Sequence, residues 1–278
     1  MRTSEDNDRL SQLDIMHSSL ESRRADLLQQ PEELERSLKR NNIERAGFAP
    51  VNTIPEEMLR NIFEYTYEGC IAHEGSTVEP KSKCDPLLLT HVCRRWRRTA
   101  IALPAIWTCL HLDRPAYLLD LFIARSMGRP LHIVHLSGSE PPTEQVALAI
   151  QHAPRWKSIL SRPILPSVLH LLLPGRVELP LLEHVDVNNI RQPEHAVVSN
   201  PNLTSLSLIA LEVSFAHCDL RGLRYLYLGS TVISSRELLD LSIAAPRLAH
   251  MTLSTLQYTV DDPGRMVSFP FLDRKSVV

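Results

Sequence analysis

Cysteine and histidine are the side chains whose spacing could bind a metal ion. Two residues separate Cys70 from His73, and Cys84, His91 and Cys93 follow them along the chain. Thiolate and imidazole are the ligands that zinc prefers. However, Cys93 falls on the apolar stripe of a predicted helix, where a small thiol packs as a hydrophobic residue. We therefore predict buried thiols, no metal site and no cofactor.

Four arginines flank Trp96, at positions 94, 95, 97 and 98. Such a cluster could bind phosphate or act as a nuclear address. On a helix the arginines lie on both sides of Trp96. This placement indicates that they border a buried apolar stripe, with solvated guanidinium groups and with aliphatic stems along the apolar surface. The pattern therefore predicts no nucleic-acid site.

Catalytic motifs are missing from the sequence. It contains no Gly-x-Ser-x-Gly, no phosphate-binding glycine loop and no His-Glu-x-x-His, and only 9 of its 278 residues are glycine. The 12 histidines are scattered, and those at positions 132, 135, 184 and 250 fall on predicted strands. We predict surface contacts for these histidines, and we expect that the protein is not an enzyme.

Composition indicates a soluble protein with one substantial core and a small module. The chain is 44% hydrophobic and 22% charged, with a net charge of −2. This balance gives no general attraction to nucleic acid or to an anionic membrane. The polar start lacks an apolar signal segment, no apolar run reaches the length of a membrane span, and 5 cysteines fit a reducing compartment. We expect a cytoplasmic or nuclear location.

Two short amphipathic helices are predicted between residues 53 and 107. The stretch from Thr53 to Glu56 has the form of a capping box with proline in the first turn, so we expect a helix from about Ile54. Its apolar residues form one stripe: Ile54, Met58, Leu59, Ile62 and Phe63.

The second predicted helix begins with Asp85 as cap and Pro86 in its first position, and Pro104 ends it. Its stripe comprises Leu88, Leu89, Val92, Cys93, Trp96 and Ala100. So short a segment removes too little surface from water to bury both stripes. We therefore expect a partner or a following domain to cover the remainder.

These residues resemble an F-box, in the form common in fungal proteins. The matching motifs are Ile54-Pro55-x-Glu57-Met58-Leu59-x-x-Ile62-Phe63, Leu87-Leu88-Leu89, Val92-Cys93-Arg94-x-Trp96-Arg97, then Ala100, and Leu103-Pro104-x-Ile106-Trp107. Ile54 stands where the family most often has leucine, and the connector from Tyr67 to Cys84 is longer than in compact F-boxes.

The resemblance implies docking on the Skp-type adaptor of a cullin–RING (SCF-type) ubiquitin ligase, while the rest of the chain selects the protein to be ubiquitinated. The adaptor-facing residues that it implies are Ile54, Pro55, Met58, Leu59, Ile62, Leu88, Val92 and Trp96.

Leucines recur every seven residues near the start of the chain, at positions 13, 20, 27 and 34, with Leu10, Met16 and Leu38 near the complementary heptad positions. Pro31 predicts a break between two helices, about 8–29 and 31–42. Two interpretations stay open: self-association through a coiled coil, or a solvated helical pair folded onto the F-box.

An apolar repeat dominates the second half of the chain. The form Φ-x-x-Φ-x-Φ, where Φ is apolar, begins with some slack at Leu131, Trp156, Leu182, Leu203, Leu223, Leu248 and Leu272, in steps of 20 to 26 residues. This spacing is typical of leucine-rich repeats, in which a strand and a helix or turn stack on their neighbours. Helical patterns run from Thr143 to His152 and from Ser235 to Ala244, the latter opened by a capping box of Ser234 and Glu237.

The sequence thus predicts a mixed α + α/β fold with three parts: a helical or coiled-coil segment over 1–46, the F-box over 47–112, and an irregular leucine-rich-repeat solenoid of short parallel strands over 113–278. Nothing caps the last repeat, at Leu272, so we expect a longer native chain or another element over that end.

Strand alternation predicts a substrate-binding face. With Leu182, Val185 and Val187 directed inward, their neighbours point outward. The residues so exposed are His184, Asp186, Ser205, Ser207, Tyr225, Tyr227, His250 and Thr252, and the two tyrosines are the strongest candidates. The leading function is a substrate adaptor of the ligase for an unknown protein, and the alternative is an interaction scaffold without a ligase.

Overall fold

The computed structural model describes residues 4–47, 53–68, 85–137, 139, 141–162, 178–188, 195–196, 198–254 and 257–259. Contacts divide the chain into two compact units, residues 1–59 and 60–278. The predicted boundary between residues 112 and 113 therefore falls inside the second unit. Among the described helices, none is both long and apolar enough to cross a membrane.

The first unit contains one long helix, α1, from Ser4 to Gly47. Pro31 lies inside it, so the predicted division into two helices is wrong. An interior proline costs about 3 kcal/mol through a lost hydrogen bond and a clash with the preceding turn. Glutamine and glutamate surround Pro31 on both sides and are good helix formers, which lets the helix continue.

Helix α2 runs from Glu56 to Glu68 and crosses the division between the two units. It begins two residues later than predicted. The carbonyl of Pro55 accepts a hydrogen bond from the Leu59 amide at 3.0 Å, which places Pro55 at the cap instead of in the first turn.

The second predicted helix is two helices, α3 from Pro86 to Val92 and α4 from Arg94 to Ile101. Asp85 caps α3 as predicted, since its side chain accepts from the Leu87 amide at 3.0 Å. Cys93 breaks the helix because its backbone is extended (φ −156°, ψ 173°), and its Sγ accepts from the Trp96 amide at the start of α4. The predicted place of Cys93 on a continuous stripe is therefore wrong.

Side-chain contacts join these helices to each other and to the sheet. The rings of Phe63 and Trp96 meet edge to face, with centroids 5.1 Å apart. Arg97 Nε donates to the carbonyl of Thr90 at 2.7 Å and so satisfies the end of α3. The hydroxyl of Tyr67 accepts from the amide of Cys109 at 2.8 Å, where the first strand begins.

The second unit is built on a parallel sheet of seven strands, ordered β1-β2-β3-β4-β6-β8-β10, so the predicted mixture of helices and a parallel sheet is confirmed. The strands are β1 Cys109–His111, β2 Leu131–His135, β3 Trp156–Ser161, β4 His184–Asn188, β6 Ser205–Ile209, β8 Tyr225–Gly229 and β10 His250–Ser254. Short parallel pairs join β5 (His195–Ala196) to β7 (Glu212–Val213) and β9 (Val232–Ser234) to β11 (Gln257–Thr259).

The first apolar residue of each described repeat is buried. Leu131, Trp156, Leu182, Leu203, Leu223 and Leu248 are all at most 1% exposed. Leu272 lies outside the described residues. The apolar pattern is wrong for the first repeat, in which Val134 and Leu136 are the second and third apolar positions. Ile133, and not Val134, aligns with the corresponding residue Ile159 of β3, and Leu136 is 41% exposed. The reason is an irregularity at the start of β3, where Leu131 pairs with Trp156 but His132 pairs with Ser158.

The same apolar pattern also occurs one unit earlier than predicted. Trp107, Leu110 and Leu112 have the spacing Φ-x-x-Φ-x-Φ and are at most 1% exposed. Leu110 aligns with Ile133 on β2. The repeat therefore begins inside the range predicted for the F-box.

Two helix-to-strand passages are built alike. Helix α4 leads through a 3₁₀ turn, Pro104–Trp107, into β1, and helix α6, Thr143–Ile150, leads through Ala153–Arg155 into β3. The indole of Trp107 donates to the carbonyl of Ala100 at 2.8 Å, and that of Trp156 donates to Ala149 at 3.1 Å. In each case the indole N–H donates to the carbonyl of the residue seven positions earlier, which lies near the end of the helix.

Two further helices lie within the described part of the chain, α5, Ala116–Arg125, and α7, Ser235–Ala244. Trp107 packs between Phe122, with ring centroids 5.1 Å apart, and the guanidinium of Arg125, which lies 4.3 Å from its ring centroid. The capping box of α7 is confirmed, because Ser234 and Glu237 exchange side-chain to backbone hydrogen bonds of 2.8 and 3.3 Å.

Candidate functional site

Most of the predicted adaptor-facing residues are accessible. Met58 is 57% exposed, and Ile62, Leu88 and Val92 are 45%, 61% and 59% exposed. Pro55 is exposed, while Ile54 and Trp96 are half-buried. These are large apolar side chains in contact with water.

Leu59 is the exception among the predicted adaptor-facing residues. It is 1% exposed and belongs to the core, so its assignment to a surface is corrected. The cause is helical geometry: Leu59, Phe63 and Tyr67 recur every four residues on the buried side of α2, while Ile62 lies on a different side. The predicted single stripe is thus two stripes with different environments.

The predicted substrate residues all lie on one face of the sheet. Their inward neighbours Val185, Leu206, Leu226 and Met251 are at most 5% exposed, which confirms the alternation. The strand register arranges the outward residues in two rows. The first row is His184, Ser205, Tyr225 and His250, and the second is Asp186, Ser207, Tyr227 and Thr252.

This face is half-buried, whereas exposed side chains were predicted. Tyr225 and His250 are neighbours in the first row, and their rings stack with centroids 4.9 Å apart and an angle of 5° between the planes. Tyr227 lies against Gly229: a Cβ at that glycine would stand 3.0 Å from Tyr227 Cε1. His250 therefore covers part of Tyr225, and the ring of Tyr227 occupies the space that Gly229 leaves open.

An ion pair and several unsatisfied atoms mark the second row. Arg162 donates to Asp186 at 2.6 Å, with the two side chains 20% and 14% exposed. Four atoms around this pair are buried and have no hydrogen-bond partner among the residues that the structure describes: Arg162 Nε, Asp186 Oδ1, Asn188 Oδ1 and Ser207 Oγ. A buried polar group without a partner costs about 1–3 kcal/mol, so this region favours a ligand or water that forms hydrogen bonds. Arg162 and Asn188 were not predicted from the sequence, because neither falls within the repeated pattern.

The first row continues to β2 through His132. Its Nδ1 lies 2.7 Å from Ser158 Oγ, and Ser158 is the register partner of His184. Burial, helped by the charges of Lys157 and His184, lowers the pKa of His132 to about 4. The imidazole is therefore neutral near pH 7 and can either donate or accept with each nitrogen, according to its tautomer.

Of the five residues considered for a metal site, the structure describes two, His91 and Cys93. Cys70, His73 and Cys84 lie outside the described residues. His91 is exposed and Cys93 caps α4. Within the described ranges, no group of three or more cysteine, histidine or acidic side chains converges. Of the arginines around Trp96, those at 94, 97 and 98 are exposed and the one at 95 is half-buried.

Comparison of the chain with protein-family models, curated proteins and solved structures found no match.

Proposed function

We propose that this protein is a substrate-recognition adaptor of an SCF-type cullin–RING ubiquitin ligase. Helices α2 to α4 form the F-box that binds the Skp-type adaptor, and the sheet carries the surface that binds the target protein. One observation carries this proposal: Ile62, Leu88 and Val92 are 45–61% exposed on helices that also carry buried residues such as Phe63 and Thr90.

The energetics of these residues support a protein partner. Burial of an aliphatic side chain stabilises a complex by about 1.5–3 kcal/mol relative to exposure. The same helices bury Phe63, Thr90 and Ala100, so the aliphatic residues are exposed on a module that is already folded. Exposed aliphatic residues at positions that match an F-box motif favour docking of an adaptor.

We further propose that the sheet is the strand layer of an irregular leucine-rich-repeat solenoid. Three observations support this architecture: the seven strands of the sheet are parallel, their apolar repeats follow in steps of 20 to 26 residues, and each repeat places a buried residue at the strand start. That residue is the first of the strand in β2 and β3 (Leu131, Trp156) and lies two residues before β4, β6, β8 and β10. The two polar rows then form a continuous recognition surface. The unsatisfied atoms near Asp186 and Ser207 favour a target segment that forms hydrogen bonds along them.

The direct test is reconstitution with purified partners. The full chain is mixed with a Skp-type adaptor and then with cullin and RING subunits, and complex formation is measured by size-exclusion chromatography with light scattering. The proposal predicts a stoichiometric complex with the adaptor and recruitment of the cullin through it. A chain that is folded by circular dichroism yet binds no adaptor contradicts the proposal.

The alternative function is an interaction scaffold that does not join a ligase. The observation that favours it is the exposure of the heptad leucines on α1, where Leu13, Leu20 and Leu34 are 58–62% exposed. A helix of this kind is stabilised by pairing with a second helix. Self-association of the chain without adaptor binding would support the scaffold over the ligase adaptor.

A further inference from the structure

A pocket lies at the amino-terminal ends of the first three strands, next to the first polar row at His132. Its volume is about 360 Å³. Thr108 precedes β1, Pro130 precedes β2 and Lys157 is the second residue of β3. Together with Glu64, Tyr67, Ala105, Arg129 and His132 they line what we term the strand-start pocket. This volume is in the range of sites for small molecules.

Charges of both signs line the strand-start pocket without neutralising each other. Lys157 forms an ion pair with Glu183 at 3.3 Å. Glu64 and Arg129 form no ion pair with each other or with another described residue, although they line the same pocket. The lining residues carry two positive charges, Arg129 and Lys157, and one negative charge, Glu64. Glu183, which pairs with Lys157 from outside the lining, brings the sum of these charges to zero while they remain separated in space.

The loop that carries Arg129 is held in place by Arg155. The guanidinium of Arg155 donates to the carbonyl of Arg129 at 2.8 and 3.1 Å and to Ser126 Oγ at 2.6 Å. Within this loop Met127 and Gly128 have positive φ values of 47° and 77°. Met127 is a non-glycine residue in a strained conformation, and three hydrogen bonds from Arg155 fix the turn. The side chain of Arg129, which follows the turn, is therefore positioned before a ligand binds.

Two buried polar side chains complete the lining. Tyr67 is 6% exposed and accepts from the Cys109 amide, and burial raises its pKa, so it keeps its proton. His132 is 8% exposed and uses Nδ1 toward Ser158. Its Nε2 has no partner among the described residues and can donate to or accept from a bound molecule.

We propose that the strand-start pocket binds a small zwitterion, with its anionic group at Arg129 and Lys157 and its ammonium group at Glu64. A neutral ligand with separated charges matches a neutral pocket with separated charges, whereas a simple anion would leave Glu64 uncompensated. A carboxylate or a phosphate can supply the anion, and both form charge-assisted hydrogen bonds with arginine. This inference does not rest on the proposed ligase function.

The probes are chosen to separate the two charges and the two kinds of anion. Beta-alanine and phosphoethanolamine carry both charges, propionate and ethyl phosphate carry only the anion, and ethylammonium carries only the cation. Binding is followed by NMR on the ring protons of His132, whose signal is assigned by its loss in His132→Gln. We expect saturable shifts with at least one zwitterion and binding at least about tenfold weaker for the matching single-charge probes. The stronger zwitterion identifies the anion.

Two variants and one matched control test the assigned contacts. Arg129→Met should weaken the zwitterion at least about tenfold, and Glu64→Gln should remove its advantage over the matching anion. Arg247→Met, at an exposed arginine outside the pocket, should bind as the wild type does. The proposal is overturned if no probe gives a saturable shift at about 10 mM, ten times a Kd of about 1 mM. Equal binding of zwitterion and anion, or wild-type binding by both pocket variants, also overturns it.

Discussion

Trp107 and Trp156 occupy equivalent positions in two helix-to-strand passages. Each donates its indole N–H to the carbonyl seven residues before it, at 2.8 Å for Ala100 and 3.1 Å for Ala149. Both side chains are at most 1% exposed. Because each indole pairs a carbonyl near a helix end while filling the core, it fixes the angle at which the helix gives way to the strand.

Replacement of either tryptophan should therefore cost more than its packing alone. In Trp107→Phe and Trp156→Phe the carbonyl keeps a backbone donor, Leu103 at 3.3 Å or His152 at 3.0 Å, but loses the indole hydrogen bond, worth about 0.5–1.5 kcal/mol, and the smaller ring fills less of the core. We expect a loss of about 1–3 kcal/mol in the free energy of unfolding, measured by urea denaturation.

Trp96→Phe is the matched control for this prediction. Its Nε1 is buried and has no hydrogen-bond partner within the described ranges, so phenylalanine removes an unsatisfied group and keeps the aromatic contact with Phe63. The control should be less destabilised than either of the two other variants. If all three variants lose the same stability, the hydrogen bonds of Trp107 and Trp156 have no separate role.

Local signals in the sequence predicted the elements with explicit caps. Asp85 before Pro86, and Ser234 with Glu237, begin helices where expected, because each cap satisfies backbone amides with its own side chain. The buried alternation from Leu182 onward was also predictable, since a strand with one buried face repeats every two residues.

Features that depend on distant contacts were not predicted. The break at Cys93 is stabilised by Arg97, which reaches back to the Thr90 carbonyl, and no local pattern contains this contact. The apolar pattern was assigned wrongly at Val134 because the pairing of β2 with β3 is irregular at the start of β3. The strand-start pocket unites residues from Glu64 to Lys157, which are close only in the folded chain.

The two sides of α2 should respond differently to substitution. Leu59→Ala removes a core side chain that is 1% exposed and should cost about 2–5 kcal/mol in the free energy of unfolding. Ile62→Ser with Leu88→Ser changes exposed residues, so stability should change by no more than about 1 kcal/mol while adaptor affinity falls at least tenfold. Binding is measured by calorimetry with the purified adaptor.

Leu181→Ser provides the control for the adaptor-binding variants. Leu181 is 43% exposed but lies before β4 and not on the three helices. It should bind the adaptor as the wild type does. Equal binding by the Ile62 and Leu88 double variant would instead remove the proposed docking surface.

Helix α1 should mediate self-association through its heptad face. Leu13→Ser with Leu20→Ser removes two leucines that are 58% and 61% exposed, and should shift the chain toward monomer in sedimentation velocity. Ile15→Ser is the control, since Ile15 is 69% exposed but lies off the heptad positions. A wild-type chain that remains monomeric at high concentration contradicts self-association.

Acid should destabilise the protein through His132. Its pKa is lowered from 6.5 to about 4 in the fold, so between these pH values the unfolded chain binds a proton that the folded chain does not. The free energy of unfolding should therefore fall by up to about 3 kcal/mol as pH decreases from 6.5 to about 4. Below that range both states bind the proton, so the stability that neutral His132 contributes is lost completely and pH has no further effect through this residue.

His132→Gln isolates this contribution to the pH dependence. His111 also has a lowered pKa, mainly through burial, so the wild-type curve contains both histidines. Urea denaturation of wild type and variant from pH 4 to 7 gives the difference. A difference that does not vary with pH would show that His132 takes up its proton equally in both states.

The polar rows of the sheet should recognise the target through Tyr225 and Tyr227. Both are half-buried, and Tyr225 stacks on His250, so the double substitution to alanine should cost some stability, roughly 1–3 kcal/mol in the free energy of unfolding. It should abolish capture of proteins that bind the wild type, because aromatic residues dominate binding energy, and leave adaptor affinity unchanged.

Capture is quantified by affinity purification with wild type and variant in parallel. His250→Ala removes the stacking partner but keeps both tyrosines, and should retain most of the capture. A loss of stability above about 4 kcal/mol would identify the tyrosines as core residues, and unchanged capture would place target recognition on another surface.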